Sequence, residues 1–481
     1  MLLKQQALSG VKWTSISSII IAIIQLAQLA ILAHYLEPSD FGLMAIVAVI
    51  IGFSALFMDM GISASIIHRQ SITHEELSSL YWLNIASGVL LFFLVYCLAP
   101  ILASFYNETE LMPMVQILAV TFVISGIGNQ YGILLQKALR FNLMAKISIV
   151  SALTGFVAAV SLAIYGFGVY ALVYAALASV FVSTFMNVLI GMRDHRPSLV
   201  YQHHEVMPMI SFGVFQMGER SINYFNSQFD VILIGKLLGT ETLGIYSVAK
   251  NLSMRPAEII NPIITKVTFP IMAKVQNDTL RLKSIYLKTI NYLSSINFPI
   301  YILLAIFAEP IILMLFGEKW HDSIIILQIL SIYGAFRATT NPIGSLLLSK
   351  GRADLGFYWN LGLFFIIPLA IYIGSFWGLI GVAYSLLLQT IVLYIPNWYF
   401  LVKPLCGAEF KEYFWQILKP LTLTVISGIF AYGMSLMFDI EDMFLDAMII
   451  SMTMGVVLIV LNVLFNREFL VTLLDLFQRK I

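Results

Sequence analysis

About fourteen runs of predominantly apolar residues, each near the length a helix needs to cross a bilayer, follow one another from residue 13 to residue 465. A segment in hydrocarbon must satisfy its own backbone hydrogen bonds, and runs of this kind do so as helices. With 60% hydrophobic and only 11% charged residues over 481 positions, the composition lies outside that of water-soluble domains. The expected class is all-α and polytopic. A formal net charge of +1 offers no basic surface for nucleic acid, and two cysteines, Cys97 in a span and Cys406 in a loop, do not make a disulfide framework.

Loop charge orients the spans, because Lys and Arg accumulate on the cytoplasmic side. Segments on the side of the N-terminus hold Lys4, Lys12, Lys137, Arg140, Arg193 and Arg281, among others, whereas the opposite loops hold only Lys236 and Lys319. Both termini are expected in the cytoplasm. The first run follows Lys4 and Lys12 but is too long for a cleaved signal segment.

Against this apolar background, the stretch from Ser211 to Pro270 stands out. Its two spans carry Glu219, Arg220, Asp230, Lys250, Arg255, Glu258 and Lys266, and the second is interrupted by Pro256, Pro262 and Pro270. A charge at mid-bilayer costs about 2.5–3.5 kcal/mol on insertion scales, so these side chains are expected to line a polar surface. Arg337, near the middle of the tenth span and followed by Thr339, Thr340 and Asn341, joins them. It reads either as an anion contact or as the partner of a carboxylate such as Glu219.

Glu219 and Arg220 are adjacent, hence about 100° apart on a helix, and cannot both point into one narrow groove. Arg255 and Glu258 share a helix face and could neutralise each other. Lys250, Glu258 and Lys266 follow at two-turn intervals and read as a polar ladder along one face, with snorkelling to the cytoplasm as the alternative for Lys266. Asp59 is the clearest intramembrane charge of the first part of the chain. A lone carboxylate there could titrate and couple transport to an ion, or simply hold helices together. Glu37 and Asp40 resemble an acidic catalytic pair, but Ser39 or Asp40 as a helix N-cap is the simpler account. The histidines lack ligand spacing, and no phosphate loop or nucleotide motif occurs. No metal and no cofactor are expected.

The chain also repeats itself at a shift of about 200 to 213 residues. Leu36–Gly42 (LEPSDFG) lies over Leu238–Gly244 (LGTETLG), and Pro100–Tyr106 (PILASFY) over Pro310–Phe316 (PIILMLF). Val115–Leu118 meets Leu327–Leu330, Asn129 meets Asn341, and Gly132 meets Gly344. The unit is six spans, an even number, so the two copies insert in parallel. We therefore expect a six-helix lobe over 1–205, a second over 206–403, and two further helices over 404–481.

Four segments carry a family resemblance: Ser65–Asn84 (SIIHRQSITHEELSSLYWLN), Leu134–Phe141 (LLQKALRF), Ile234–Leu252 (IGKLLGTETLGIYSVAKNL) and Leu315–Ala338 (LFGEKWHDSIIILQILSIYGAFRA). They resemble the Wzx-type polysaccharide-repeat exporters, in particular the colanic-acid and lipopolysaccharide exporter branch of the multidrug/oligosaccharidyl-lipid/polysaccharide exporter superfamily. The resemblance implies two lobes around a central cavity and a flippase that moves an undecaprenyl-pyrophosphate-linked oligosaccharide to the outer leaflet of the bacterial inner membrane. It maps the cavity cations onto Arg220, Lys250, Arg255 and Arg337, with Asp59, Glu219 and Glu258 as cavity or ion-coupling residues. Expected partners are the lipid-linked oligosaccharide, membrane lipid, a coupling ion (proton or sodium) and other polysaccharide-assembly proteins. The alternatives are an ion-coupled multidrug antiporter, which should prefer a carboxylate-dominated cavity, and a membrane glycosyltransferase or polymerase, which would need a sizeable outer loop.

Overall fold

The computed structural model describes residues 2–59, 66, 72–438 and 443–471; the side chains of 2–9, 11, 59, 203–217, 438, 443 and 444 fall outside that description. The long elements are helices: α1 (Leu2–Tyr35), α2 (Pro38–Asp59), α3 (His74–Tyr106), α4 (Leu111–Lys137), α5 (Phe141–Ile164), α6 (Tyr170–Gly191) and α7 (His203–Leu238). There follow α8 (Thr240–Lys274), α9 (Thr279–Ile306), α10 (Ser323–Ser349), α11 (Ala353–Ser375), α12 (Gly378–Cys406), α13 (Phe410–Phe438) and α14 (Met443–Phe465). Among the described residues, 12 helices are long and apolar enough to cross a membrane. The two left out, α7 and α8, have 36 and 35 residues and carry the clustered charges. The protein is an all-α, multi-pass membrane protein.

Local chemistry sets the helix starts. Thr73 and Glu76 form a capping box at α3: the Glu76 amide donates to Thr73 Oγ1 at 3.1 Å, and the Thr73 amide to Glu76 Oε2 at 2.7 Å. At α2 the expected cap is corrected by three positions at most. The helix already begins at Pro38, whose fixed φ suits a first turn, and Asp40 reaches back to accept from the Glu37 amide at 3.0 Å. Glu37 and Asp40 are thereby engaged in starting a helix.

Packing divides the chain into one compact unit ending at Ile245 and a second beginning at Tyr246. In the first, α3 lies along α4, α6 along α4 and α5, α1 along α5, and α7 along α2 and α3. The helix that opens the second repeat thus packs with the first copy, so repetition and packing differ by about one helix. In the second unit α9 is the hub, holding α10 on one side and α13 on another, with α14 on α13 and α11 on α12. Ala431, Ile450 and Met454 close over Ile302, Leu303 and Ile306, which ties the last two helices to α9.

Within the first unit the repeated segments meet each other. A Cβ on Gly42 would lie 1.8 Å from the Thr240 carbonyl oxygen, and one on Gly244 would lie 1.7 Å from that of Pro38. Each glycine faces the carbonyl four residues before the other, so the contact is reciprocal. Only glycine permits backbone approach this close.

Candidate functional site

Three helices of the second unit meet around the prolines of α8. A proline inside a helix supplies no amide and pushes away the carbonyl four residues before it, so neighbouring backbone groups need outside partners. Beside Pro256, the Ala257 amide donates to the Tyr301 hydroxyl of α9 at 3.3 Å. In α10, Pro342 has no hydrogen to give the Ala338 carbonyl, and Asn261 Nδ2 of α8 donates to that oxygen at 3.1 Å. Asn261 Oδ1 in turn accepts from Asn297 Nδ2 of α9 at 3.1 Å. Two residues before Ala338, the Phe336 carbonyl accepts from the Tyr394 hydroxyl of α12 at 2.7 Å, and that hydroxyl is also bonded to Thr339.

Arg337 lies between those two carbonyls. Its backbone is therefore fixed from α8 and α12 while its side chain is exposed. Nη1 donates to the Tyr333 hydroxyl one turn earlier at 3.0 Å, with the guanidinium 5.8 Å from the Tyr333 ring centroid. The same nitrogen lies 3.9 Å from Met254 Sδ, next to Arg255 in sequence. Gly334 makes the approach feasible, since a Cβ there would come within 2.7 Å of the Tyr301 ring and 3.2 Å of the Ser253 carbonyl.

Arg255 Nη1 and Glu258 Oε2 are 3.4 Å apart, with side chains 41% and 59% exposed. An open pair of that length is worth about 0.2–1 kcal/mol, so it leaves the Arg255 donors available to a stronger anion. The structure thus sets Arg255 and Glu258 on one turn of α8 and brings Arg337, bonded to Tyr333, up to the neighbouring Met254.

The other expected residues are placed differently. Lys250 sits partly buried near the start of the second unit, more than a turn before Arg255 on α8. Glu219 and Arg220 are exposed on α7 and belong to the first unit. Asp230 is partly buried, accepting from the Val231 amide at 2.8 Å. Asp59 ends α2, and its side chain lies outside the described residues. The expected ladder of Lys250, Glu258 and Lys266 needs correcting. At about 3.6 residues per turn, eight residues leave an offset of about 80° and sixteen about 160°, so the row winds to the far side of α8. No group of three or more His, Cys, Asp or Glu able to hold a metal occurs among the described residues.

Sequence reasoning passed over Tyr333, Tyr301 and Asn261. Tyr333 left a signal, four residues before Arg337 on the same face. Asn261 left a weaker one: an amide buried between the charge of Glu258 and the proline at 262.

Comparison with known proteins adds the family. Residues 31–325 match the family described as polysaccharide biosynthesis protein. The teichuronic acid biosynthesis protein TuaB of Bacillus subtilis (strain 168) is 37% identical over 437 residues, covering 90% of this chain and 89% of that protein. The lipopolysaccharide biosynthesis protein WzxC of Escherichia coli (strain K12) is 32% identical over 437 residues, covering 91% and 89%. Of solved structures, the lipid II flippase MurJ in an inward closed conformation shares the fold, with a TM-score of 0.75 at 13% identity over 95% of this chain and 99% of that one. A mutant of the Vibrio cholerae MATE transporter VcmN is more distant, with a TM-score of 0.57 at 15% identity over 85% and 98%. By sequence over most of its length, the chain belongs to the polysaccharide biosynthesis protein family.

Proposed function

We propose that this protein moves an undecaprenyl-pyrophosphate-linked oligosaccharide repeat unit from the inner to the outer leaflet of the bacterial cytoplasmic membrane by alternating access. The observation that carries the reading is near full-length similarity to polysaccharide biosynthesis proteins, supported by a match over 73% of the chain to ExoT of Rhizobium meliloti (strain 1021), which is named a transport protein. The guanidinium of Arg337, fixed at its backbone and exposed at its tip, supplies the chemistry.

A pyrophosphate and several sugars cannot cross hydrocarbon unaided, because their charges and hydroxyls would lose water without replacement. Arg offers paired donors that match phosphate oxygens, and it keeps its charge when partly desolvated. Arg337 and Arg255 hold the pyrophosphate on this reading, and Arg220 and Lys250 line the path. Tyr333 orients the Arg337 guanidinium, and Glu258 competes with the anion for Arg255, which favours release. The polyprenyl tail stays in lipid. Asp59 and Glu219 are candidates for coupling to a proton or sodium gradient.

The termini are cytoplasmic by loop charge. On this reading the protein is a transporter rather than an enzyme, and Glu37 and Asp40, the pair that resembles a catalytic one, serve the start of α2. It works alongside other polysaccharide-assembly proteins.

The test is mass spectrometry of lipid-linked oligosaccharides in cells lacking the protein, with an outer-face probe that reports the leaflet. Complete repeat units accumulating on the inner leaflet, relieved by the intact gene, are the expected outcome. Unchanged lipid-linked pools with altered drug or cation sensitivity would instead favour the antiporter, whose fold relatives include VcmN.

A further inference from the structure

A cavity of about 410 Å³ lies in the first unit between α4 and α6. That volume falls in the range of about 300–1,000 Å³ typical of small-molecule sites. Six hydrogen-bonding side chains line it: Ser125, Asn129 and Gln136 from α4, and Ser183, Thr184 and Asn187 from α6. Their spacings, 125, 129 and 136 on one helix and 183, 184 and 187 on the other, put each set on a single helical face. No charged residue joins the lining.

These six side chains make no hydrogen bond among the described residues. A Ser or Thr inside an apolar helix normally returns its hydroxyl to a carbonyl one turn back, as Ser151 does to Ile147 at 2.8 Å and Ser331 to Leu327 at 2.7 Å. Ser125, Ser183 and Thr184 do not. Amides such as Asn129 and Asn187 in a membrane span call for a polar partner, since hydrocarbon offers an unpaired group no replacement for water. Glycines shape the space. Gly128 lets the helices close, a Cβ there meeting Thr184 at 2.8 Å, whereas a Cβ on Gly132 would meet nothing nearer than the Asn187 amide at 3.8 Å. The two helices are pinched at one turn and open at the next.

We propose that this pocket receives a neutral saccharide residue of the transported oligosaccharide. The proposal rests on the flippase reading. Uncharged amides and hydroxyls that both donate and accept match sugar hydroxyls, which also do both. A pyrophosphate would call for cations, and the lining has none. On the orientation argued above, the second half of α4 and of α6 lies toward the cytoplasm, the side from which the cargo is loaded. Anion binding and sugar reading are thereby separate tasks, carried by different residues. The shared chemistry, a neutral hydroxylated group, also describes the glycerol of phosphatidylglycerol, and the experiment separates the two.

The full chain in phosphatidylcholine nanodiscs is titrated with two probes: lipid-linked oligosaccharide extracted from the source cells, and undecaprenyl pyrophosphate without sugar. Asn129→Leu/Asn187→Leu is expected to weaken the first probe at least tenfold and leave the second unchanged. Gly132→Leu, which fills the space without touching an amide, is expected to do the same. Retained binding of the sugar-free probe certifies that each variant is folded. Sugar-bearing probe bound equally by wild type and both variants would overturn the pocket and leave the flippase reading standing, as would equal losses for both probes. Wild type binding neither probe would overturn both. Repeating the titration with phosphatidylglycerol added assigns the pocket to lipid, against the proposal, if that lipid displaces the sugar-bearing probe from wild type but not from the variants.

Discussion

The shift read from the sequence pairs α4 with α10, and the two helices differ in structure. The shift that lays Asn129 on Asn341 and Gly132 on Gly344 also lays Ser125 on Arg337 and Gln130 on Pro342. In the first of the pair the helix runs unbroken from Leu111 to Lys137, Gln130 Nε2 donates to the Leu77 carbonyl at 2.8 Å, and the polar groups that line its cavity are neutral. In the second, Pro342 breaks the helix, Asn261 and Tyr394 bind the freed or neighbouring carbonyls, and a guanidinium projects where the first copy has a hydroxyl. The lesson is that one scaffold position acquires a charge only together with the groups that fix the backbone beneath it.

Breaking the comparison at its charged end should have the largest effect. Arg337→Ala abolishes surface polysaccharide in a complementation assay while protein amount stays near normal, and Arg337→Lys retains part of the activity because it lacks the paired donors. Exchanging the two positions, with Ser125→Arg and Arg337→Ser together, does not restore export, since α4 has no break to present the cation. Restored export would show that the two copies are interchangeable.

Next in size are the glycines where the copies touch. Gly42→Val and Gly244→Val each force a side chain into a backbone carbonyl, at Cβ distances of 1.8 and 1.7 Å. Overpacking typically costs about 1–3 kcal/mol, and with backbone as the obstacle we expect the upper part of that range or loss of folded protein. Thermal unfolding in detergent should give similar penalties for the pair. A large loss at one and none at the other would mean that the contact is not reciprocal.

Asn261→Leu keeps the volume and removes both amide bonds, leaving the Ala338 carbonyl with the Asn341 amide at 3.4 Å and Asn297 Nδ2 with the Leu293 carbonyl at 3.0 Å, a loss of about 0.5–1.5 kcal/mol per bond. Its melting temperature should fall and its export with it. Normal stability would mean that the break in α10 holds without α8.

The smallest effect concerns the loop between α6 and α7 in the first unit. His195 is buried, its ring 4.7 Å from that of His74, and burial, reinforced by His74, holds its pKa below the ordinary 6.5. The unfolded chain then takes up a proton near pH 6.5 that the folded chain refuses, so stability is full above that pH and declines as pH falls below it. His195→Phe should flatten that decline between pH 7.5 and 5.5, read as the melting temperature at each pH.

Much of the fold was legible because a bilayer imposes length and apolarity on every span, and 12 helices among the described residues meet that test. Arg255, Glu258 and Arg337 were legible as charges in costly places. What brings them together was not. Asn261 reaches Ala338 and Asn297 on other helices, and Tyr394 reaches Phe336, across sequence separations that no single-helix pattern encodes. Asn129 and Gly132 showed in the sequence only as marks of the repeat, because a neutral amide in a span is common and acquires meaning from a facing helix. The ladder failed for a simpler reason, the drift of a 3.6-residue turn over sixteen residues.

The reciprocal approach of Gly42 and Gly244 has the form of a symmetric interface. A patch that contacts itself, with residue i meeting j and j meeting i, is the signature of a two-fold homodimer. In this chain the same form occurs inside one polypeptide, so the crossing is a pseudo-two-fold contact that a side chain on either glycine would pry open from its own side.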